Sequence, residues 1–209
     1  MKNVDRLISI AGKPLRTGGA LSLDGPMASS ALANDLIGLA KRKDGFYAFE
    51  SALHVLPFAS TTELGIVDWN DDSVWKYEYN GAADQLLCFA EDVFGAQFAI
   101  AGEAIVRFDP ETGMSEEIAR SIDAWASQIL GDADVLTGYP IAHEWQIANG
   151  PIPIGHRLVP RVPFVLGGDF SVGNLRAVKA TNAMRFYGYL ATQIKTLPDG
   201  ARIELRVVD

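Results

Sequence analysis

Residues 86–130 constrain the fold more than any other stretch of this 209-residue chain. They read LLCFAEDVFGAQFAI, then AGEAIVRFDPETG, then MSEEIARSIDAWASQIL. Three apolar runs, at 86–91, 96–101 and 104–109, have strand composition. Gly95 and Gly102 punctuate them, and Asp109-Pro110-Glu111-Thr112-Gly113 is a strong turn signal. Residues 115–130 then predict a long amphipathic helix. Ser115 is a cap, and Glu116 and Glu117 sit in the first turn, where the helix dipole favours negative charge. Ile118, Ile122, Trp125 and Ile129 step by four, three and four and so share one stripe. Almost no residues are spare, so the run encodes a fold unit and little chemistry.

The flanking sequence completes an α+β order, because helices and strands do not alternate as they do in repeated βαβ units. Residues 1–28, rich in Gly, Ser and Pro towards their end, predict an irregular arm. Asp24, Ser29 and Ser30 are helix-cap candidates for a first helix over 30–43, whose Leu32, Leu36, Leu39 and Ala40 lie on one face. Lys41, Arg42 and Lys43 close it at the negative end of its dipole. Residues 46–49, 53–58 and 64–69 are short apolar runs of strand type. Residues 74–79 alternate aromatic and polar side chains, with Trp75, Tyr77 and Tyr79 on one side, which is the strand period. In residues 131–173, Pro140, Pro151, Pro153, Pro160 and Pro163 predict an ordered loop region without long regular elements. A strand over 174–178, a helix over 181–196 and a turn at Pro198-Asp199-Gly200 follow, and an alternating strand over 201–208 ends the chain. The expected fold is a single α+β domain over 1–209, a mostly antiparallel sheet with helices packed on it.

Composition narrows the function. With 48% hydrophobic residues the chain can bury a substantial core. The formal net charge of −8 argues against nucleic acid and against anionic lipid as partners, since both require a basic face. It suits a basic protein partner. The single cysteine, Cys88, allows no internal disulfide and reads as a small core residue. The first residues, MKNVDRLISIAGK, lack the apolar run of a signal peptide, and no segment reaches the length of a membrane span. Cytoplasmic residence is the expectation.

The motifs of chemistry are missing from the sequence. His54, His143 and His156 have no metal-ligand spacing, and His143-Glu144 lacks the second His of the zinc-protease helix. Ser171 in DFSVG lacks the first Gly of a nucleophile elbow. Gly167-Gly168-Asp169 opens no phosphate-binding helix. No metal site and no cofactor are expected. Two sets of residues remain as candidates. Trp69 and Trp75 flank the acidic turn Asp71-Asp72 and, if exposed, would form a protein-binding hot spot beside negative charge. The Glu91-Asp92 turn joins them as a candidate for partner contact. The second set, His143, Glu144, Trp145, His156 and Arg157, could line a pocket in the loops of 139–173.

The central run also resembles the SUKH superfamily, which includes the yeast cell-wall assembly regulator and many bacterial immunity proteins. The residues that carry the resemblance are Phe89-Ala90-Glu91-Asp92-Val93-Phe94-Gly95, Gln97-Phe98-Ala99-Ile100, Val106-Arg107-Phe108-Asp109 and the helix-like Ala119-Arg120-Ser121-Ile122-Asp123-Ala124-Trp125. It covers residues 28–130, and 131–209 form a Pro-rich C-terminal extension beyond it. The Leu-Pro and aromatic helix that the family places after its first helix have no clear counterpart. The resemblance implies an N-terminal helix, a mostly antiparallel sheet, and neutralisation of a toxin by tight binding without catalysis. The expected function is therefore that of a non-enzymatic immunity protein with a basic toxin as partner. Two alternatives stand beside it: a small-ligand protein or enzyme with its site in 139–173, and a regulatory scaffold.

Overall fold

The computed structural model describes residues 1–23, 30–195 and 197. The cap candidates Asp24 and Ser29, the turn at 198–200 and the strand expected over 201–208 lie outside the described residues. The element order is α1 (Lys2–Ile10), α2 (Ala31–Arg42), β1 (Phe46–Ala48), β2 (Leu53–Val55), α3 (Ile66–Trp69), a 3-10 turn (Lys76–Tyr79), β3 (Leu87–Asp92), β4 (Gln97–Ala101), β5 (Ala104–Asp109), β6 (Met114–Ala119), α4 (Ile122–Gly131), α5 (Ala133–Thr137), α6 (Tyr139–Asn149), β7 (His156–Pro160), β8 (Leu175–Lys179) and α7 (Ala180–Ile194). This is the α+β fold expected from the sequence, with every strand pairing antiparallel.

Strands β1 to β6 form one meander in sequence order, and β7 and β8 form a separate hairpin. Neighbouring residues in register share a face, and the two faces of the large sheet carry different helices. On one face Phe98 and Phe89 meet Trp125 of α4 edge-on, at 5.8 and 5.0 Å between ring centroids. On the other, Gln97 and Phe108 are register partners. Gln97 reaches Trp69 of α3 and Met184 of α7, and Phe108 packs on Trp75 and Tyr79. The outer edge of β1 is covered by the chain itself: the amides of Gly12, Leu15 and Arg16 bond to the carbonyls of Tyr47, Gly45 and Asp44. The outer edge of β6 has no such cover among the described residues, and its Met114, Ser115, Glu116 and Glu117 are exposed.

Several elements differ from the sequence reading. Residues 115–130 are not one helix. Gly113 takes φ +70°, a conformation that favours glycine, and turns 114–119 back onto β5 as β6. The ladder outweighs the helical spacing of its side chains. The helix starts at Ile122, capped by Ser121, whose side chain accepts from the Ala124 amide at 3.1 Å. Residues 2–10 are helical rather than an irregular arm, because Val4 and Leu7 bury one turn apart. Its first amides, of Asn3 and Val4, are accepted by Asp123 of α4 at 2.9 and 3.0 Å. The run 64–69 ends in helix α3. The aromatic alternation of 74–79 belongs to a 3-10 turn: Trp75 and Tyr79 face the core while Tyr77 is half exposed. The Pro-rich stretch holds an eleven-residue helix, α6, because Pro140 lies in its first turn, where a missing N–H costs no hydrogen bond. Among the described residues no helix is long and apolar enough to cross a membrane.

Candidate functional site

Tyr47, His54, Glu91 and Gln97 are successive register partners across β1, β2, β3 and β4, so their side chains form a row on one face of the sheet. Three of the four are polar groups buried in a core, and each needs partners. The Tyr47 ring stacks on the His54 imidazole at 4.4 Å and donates its hydroxyl to Glu63 Oε2 at 2.7 Å. His54 Nδ1 lies 3.0 Å from Glu91 Oε1, and its Nε2 lies 3.0 Å from Glu63 Oε2. Gln97 donates to Glu91 Oε2 at 3.2 Å and accepts from the Trp69 indole at 2.8 Å. From the hairpin above, Arg157 of β7 sends its guanidinium into the same cluster, 2.6 Å from Glu91 Oε1.

The charges of this cluster set one another. Burial alone would raise the Glu91 carboxyl, but Arg157 and His54 outweigh it and hold the group down at about 2. Burial also opposes ionisation of Glu63, and the close His54 imidazole and the hydrogen bond from Tyr47 again win, leaving it below the usual carboxylate range. Burial pushes the Tyr47 phenol up, so it remains a donor. Not every atom is satisfied. Among the described residues, Glu63 Oε1, His54 Nε2 and Arg157 Nε and Nη2 are buried without a hydrogen-bond partner. The close approaches of His54 Nε2 and Arg157 Nη2 to carboxylates are ion-pair contacts whose N–H directions are off line. A cavity of about 280 Å³ opens over His54, Glu63 and Glu91.

A second concavity, of about 540 Å³, lies beside the end of the large sheet. Phe94, Phe164 and Phe170 form its aromatic wall, each pair 5.5 Å apart. Phe170 is 65% exposed and Val135 of α5 is 71% exposed. Asp109, Glu111 and Asp134 line the same groove. Glu111 shapes it: its carboxylate accepts from the amides of Phe164 and Val165 at 3.1 and 2.7 Å, fixing the loop that carries the aromatics.

The residues singled out in the sequence fare unequally. Trp69 and Trp75 are 2% and 0% exposed and pack on each other, so the expected surface hot spot is not formed. Their indoles find Gln97 and the Trp69 carbonyl instead. Asp71 and Asp72 are exposed, but neither indole shares that surface with them. Glu91 and Asp92 are each 1% exposed, which removes both from any contact surface. Asp92 accepts from the Phe94 and Ala96 amides and pairs with Arg107. The expected pocket of 139–173 is not gathered either. His143 and Glu144 are exposed on α6, with His143 Nδ1 on Glu50 at 2.7 Å. Trp145 is buried in a second core cluster, and Arg157 is committed to Glu91. His156 alone of that set reaches the smaller cavity. Tyr47, His54 and Glu63 were not singled out as a group by sequence, since only strand register brings the first two together.

No protein-family model matches the chain, and no curated protein matches it. Among solved structures, the crystal structure of Atu4351 from Agrobacterium tumefaciens is similar to it, with a TM-score of 0.58, 14% identity, and coverage of 90% of this chain and 89% of that one. At that identity the likeness shows the shared α+β fold.

Proposed function

We propose that the protein binds and neutralises a basic protein toxin, without chemistry of its own. The observation that carries this reading is the aromatic groove with carboxylates in its lining on a chain of net charge −8. Exposed aromatic side chains in a concavity are what a partner's anchor residues fill, and acidic surroundings select a basic partner and speed its arrival. The SUKH resemblance of 28–130 supports the same class of role. The buried ionisable cluster is directed inward and its charges are largely spent on one another, which suits structure better than turnover.

The test uses toxins encoded beside the gene. The wild type is expected to bind one of them and protect cells that express it. Phe170→Ser and Asp134→Lys, both at exposed positions, are each expected to weaken that binding by at least about tenfold, as hot-spot and charge-reversal changes do. If no neighbouring toxin binds, the reading fails. If both variants bind and protect like the wild type, the groove is not the interface.

A further inference from the structure

The smaller cavity is lined by groups of both charges. Its floor holds the carboxylates of Glu63 and Glu91 and the His54 imidazole. Glu63 is the informative residue. Its Oε2 receives Tyr47, while Oε1 is buried with no donor among the described residues. An ionised carboxylate oxygen left bare in a core is costly, and a donor from a bound molecule would remove the cost. The start of α7 lies on its rim, where Ala180 and Thr181 line the cavity together with Lys179 and His156. This fifteen-residue helix has no side-chain cap and no acidic residue in its first turn. The Ala180 amide goes to the Gly155 carbonyl, and among the described residues no side chain accepts from the amides that follow it. Free amides at a helix N-terminus with an adjoining ammonium form an acceptor for an anion. Leu56, Leu64, Trp69 and Ile154 supply apolar wall.

We infer that this cavity binds a small zwitterion of amino-acid size, its ammonium on Glu63 and its carboxylate at Lys179 and the N-terminus of α7. A plain anion would meet the two floor carboxylates. A plain cation would meet Lys179 and the positive end of the helix dipole. At about 280 Å³ the space lies just under the range typical of drug-sized ligands, which restricts the occupant to a compact molecule. The site is separate from the aromatic groove, and the inference does not depend on a protein partner.

The experiment is thermal unfolding of the full chain with each of the common L-amino acids, followed by calorimetric titration of those that stabilise. At least one is expected to raise the unfolding temperature saturably, because a ligand that binds only the folded state adds stability by mass action. The matching 2-hydroxy acid, which lacks the ammonium, and the matching amine, which lacks the carboxylate, are each expected to bind at least about tenfold more weakly, the loss of one charge-assisted hydrogen bond. Glu63→Gln is expected to abolish the preference for the amino acid over the hydroxy acid. Because Glu63→Gln also alters the core, Lys179→Ala and Thr181→Asp on the rim provide the second arm, with weaker binding and an unchanged fold. The inference is overturned if no amino acid stabilises the wild type, if either analogue binds as tightly as the parent, or if both rim variants bind like the wild type.

Discussion

Glu91 is a carboxylate 1% exposed to water, and its charge survives there because Arg157 and His54 face it. Its pH dependence follows from that arrangement. A carboxyl held at about 2 in the folded chain, against an ordinary 4.5, stabilises the fold fully above the ordinary value. That contribution drains away as pH falls from about 4.5 towards about 2, and integrates to roughly 3 kcal/mol. Glu63, also lowered, acts in the same direction. Asp92 opposes both, since burial raises it despite Arg107, and acid relieves its cost. The Glu91→Gln variant separates these effects. Urea denaturation is expected to show a loss of about 3 kcal/mol or more near neutral pH, where Arg157 is left buried without its anion. The same variant should show a flatter stability profile below about pH 4.5 than the wild type. An unchanged acid slope would mean that Glu91 is not the group that carries it. Cys88 shows the opposite case: burial pushes its thiol up to about 12, consistent with the inert core residue expected from its apolar run.

Helix α7 packs against the 3-10 turn at 76–79, and Gly188 faces Glu78 and Tyr79 of that turn. A Cβ added at Gly188 would stand 2.6 Å from Glu78 Cβ and 2.9 Å from the Tyr79 ring. On helix propensity alone, Gly188→Ala should stabilise by about 1 kcal/mol. The contact reverses the sign, and a net loss of about 1–2 kcal/mol is expected, read as a lower thermal midpoint. A rise in the midpoint would show that the helix can move away from the turn. The same competition between local preference and tertiary contact explains which elements were legible in the sequence. Helix α2 and helix α7 were readable because apolar spacing and burial agree in them, and Ser30 caps α2 as its position suggested, accepting from the Ala33 amide. Residues 114–119 were not, since their spacing suits a helix and only pairing with β5 makes them a strand. Trp75 and Tyr77 alternate in sequence, yet one is buried and the other half exposed. The candidate sites were less legible still. His54 and Glu63 are brought together by strand register and a loop, and Phe94 and Phe170 by folding of distant segments, none of which leaves a local motif.

At the scale of the molecule, the last third of the described chain is built into the sheet it follows. Arg157 neutralises Glu91 on β3, Glu111 holds the amides of Phe164 and Val165, and Gln146 bonds the Glu50 carbonyl at 2.8 Å in a corner where Phe49, Glu50 and Ser51 all take positive φ. What looked like an extension after residue 130 supplies counter-charges and supports that the strands before it require. One feature of the large sheet bears on self-association through its edges. Residues 12–16 block the β1 edge, and among the described residues β6 is left open with Glu116 and Glu117 outward. Like charges along an open edge keep two copies from pairing there. Removing both, as Glu116→Thr with Glu117→Thr, is expected to produce dimers in sedimentation velocity. Species larger than dimers would show that the β1 edge is not sealed. Antiparallel joining of two β6 strands about a two-fold axis consumes the open edge of each copy. With one free side among the described residues, the large sheet can be doubled through this edge but not extended further, so assembly through it ends in a closed pair rather than a fibre.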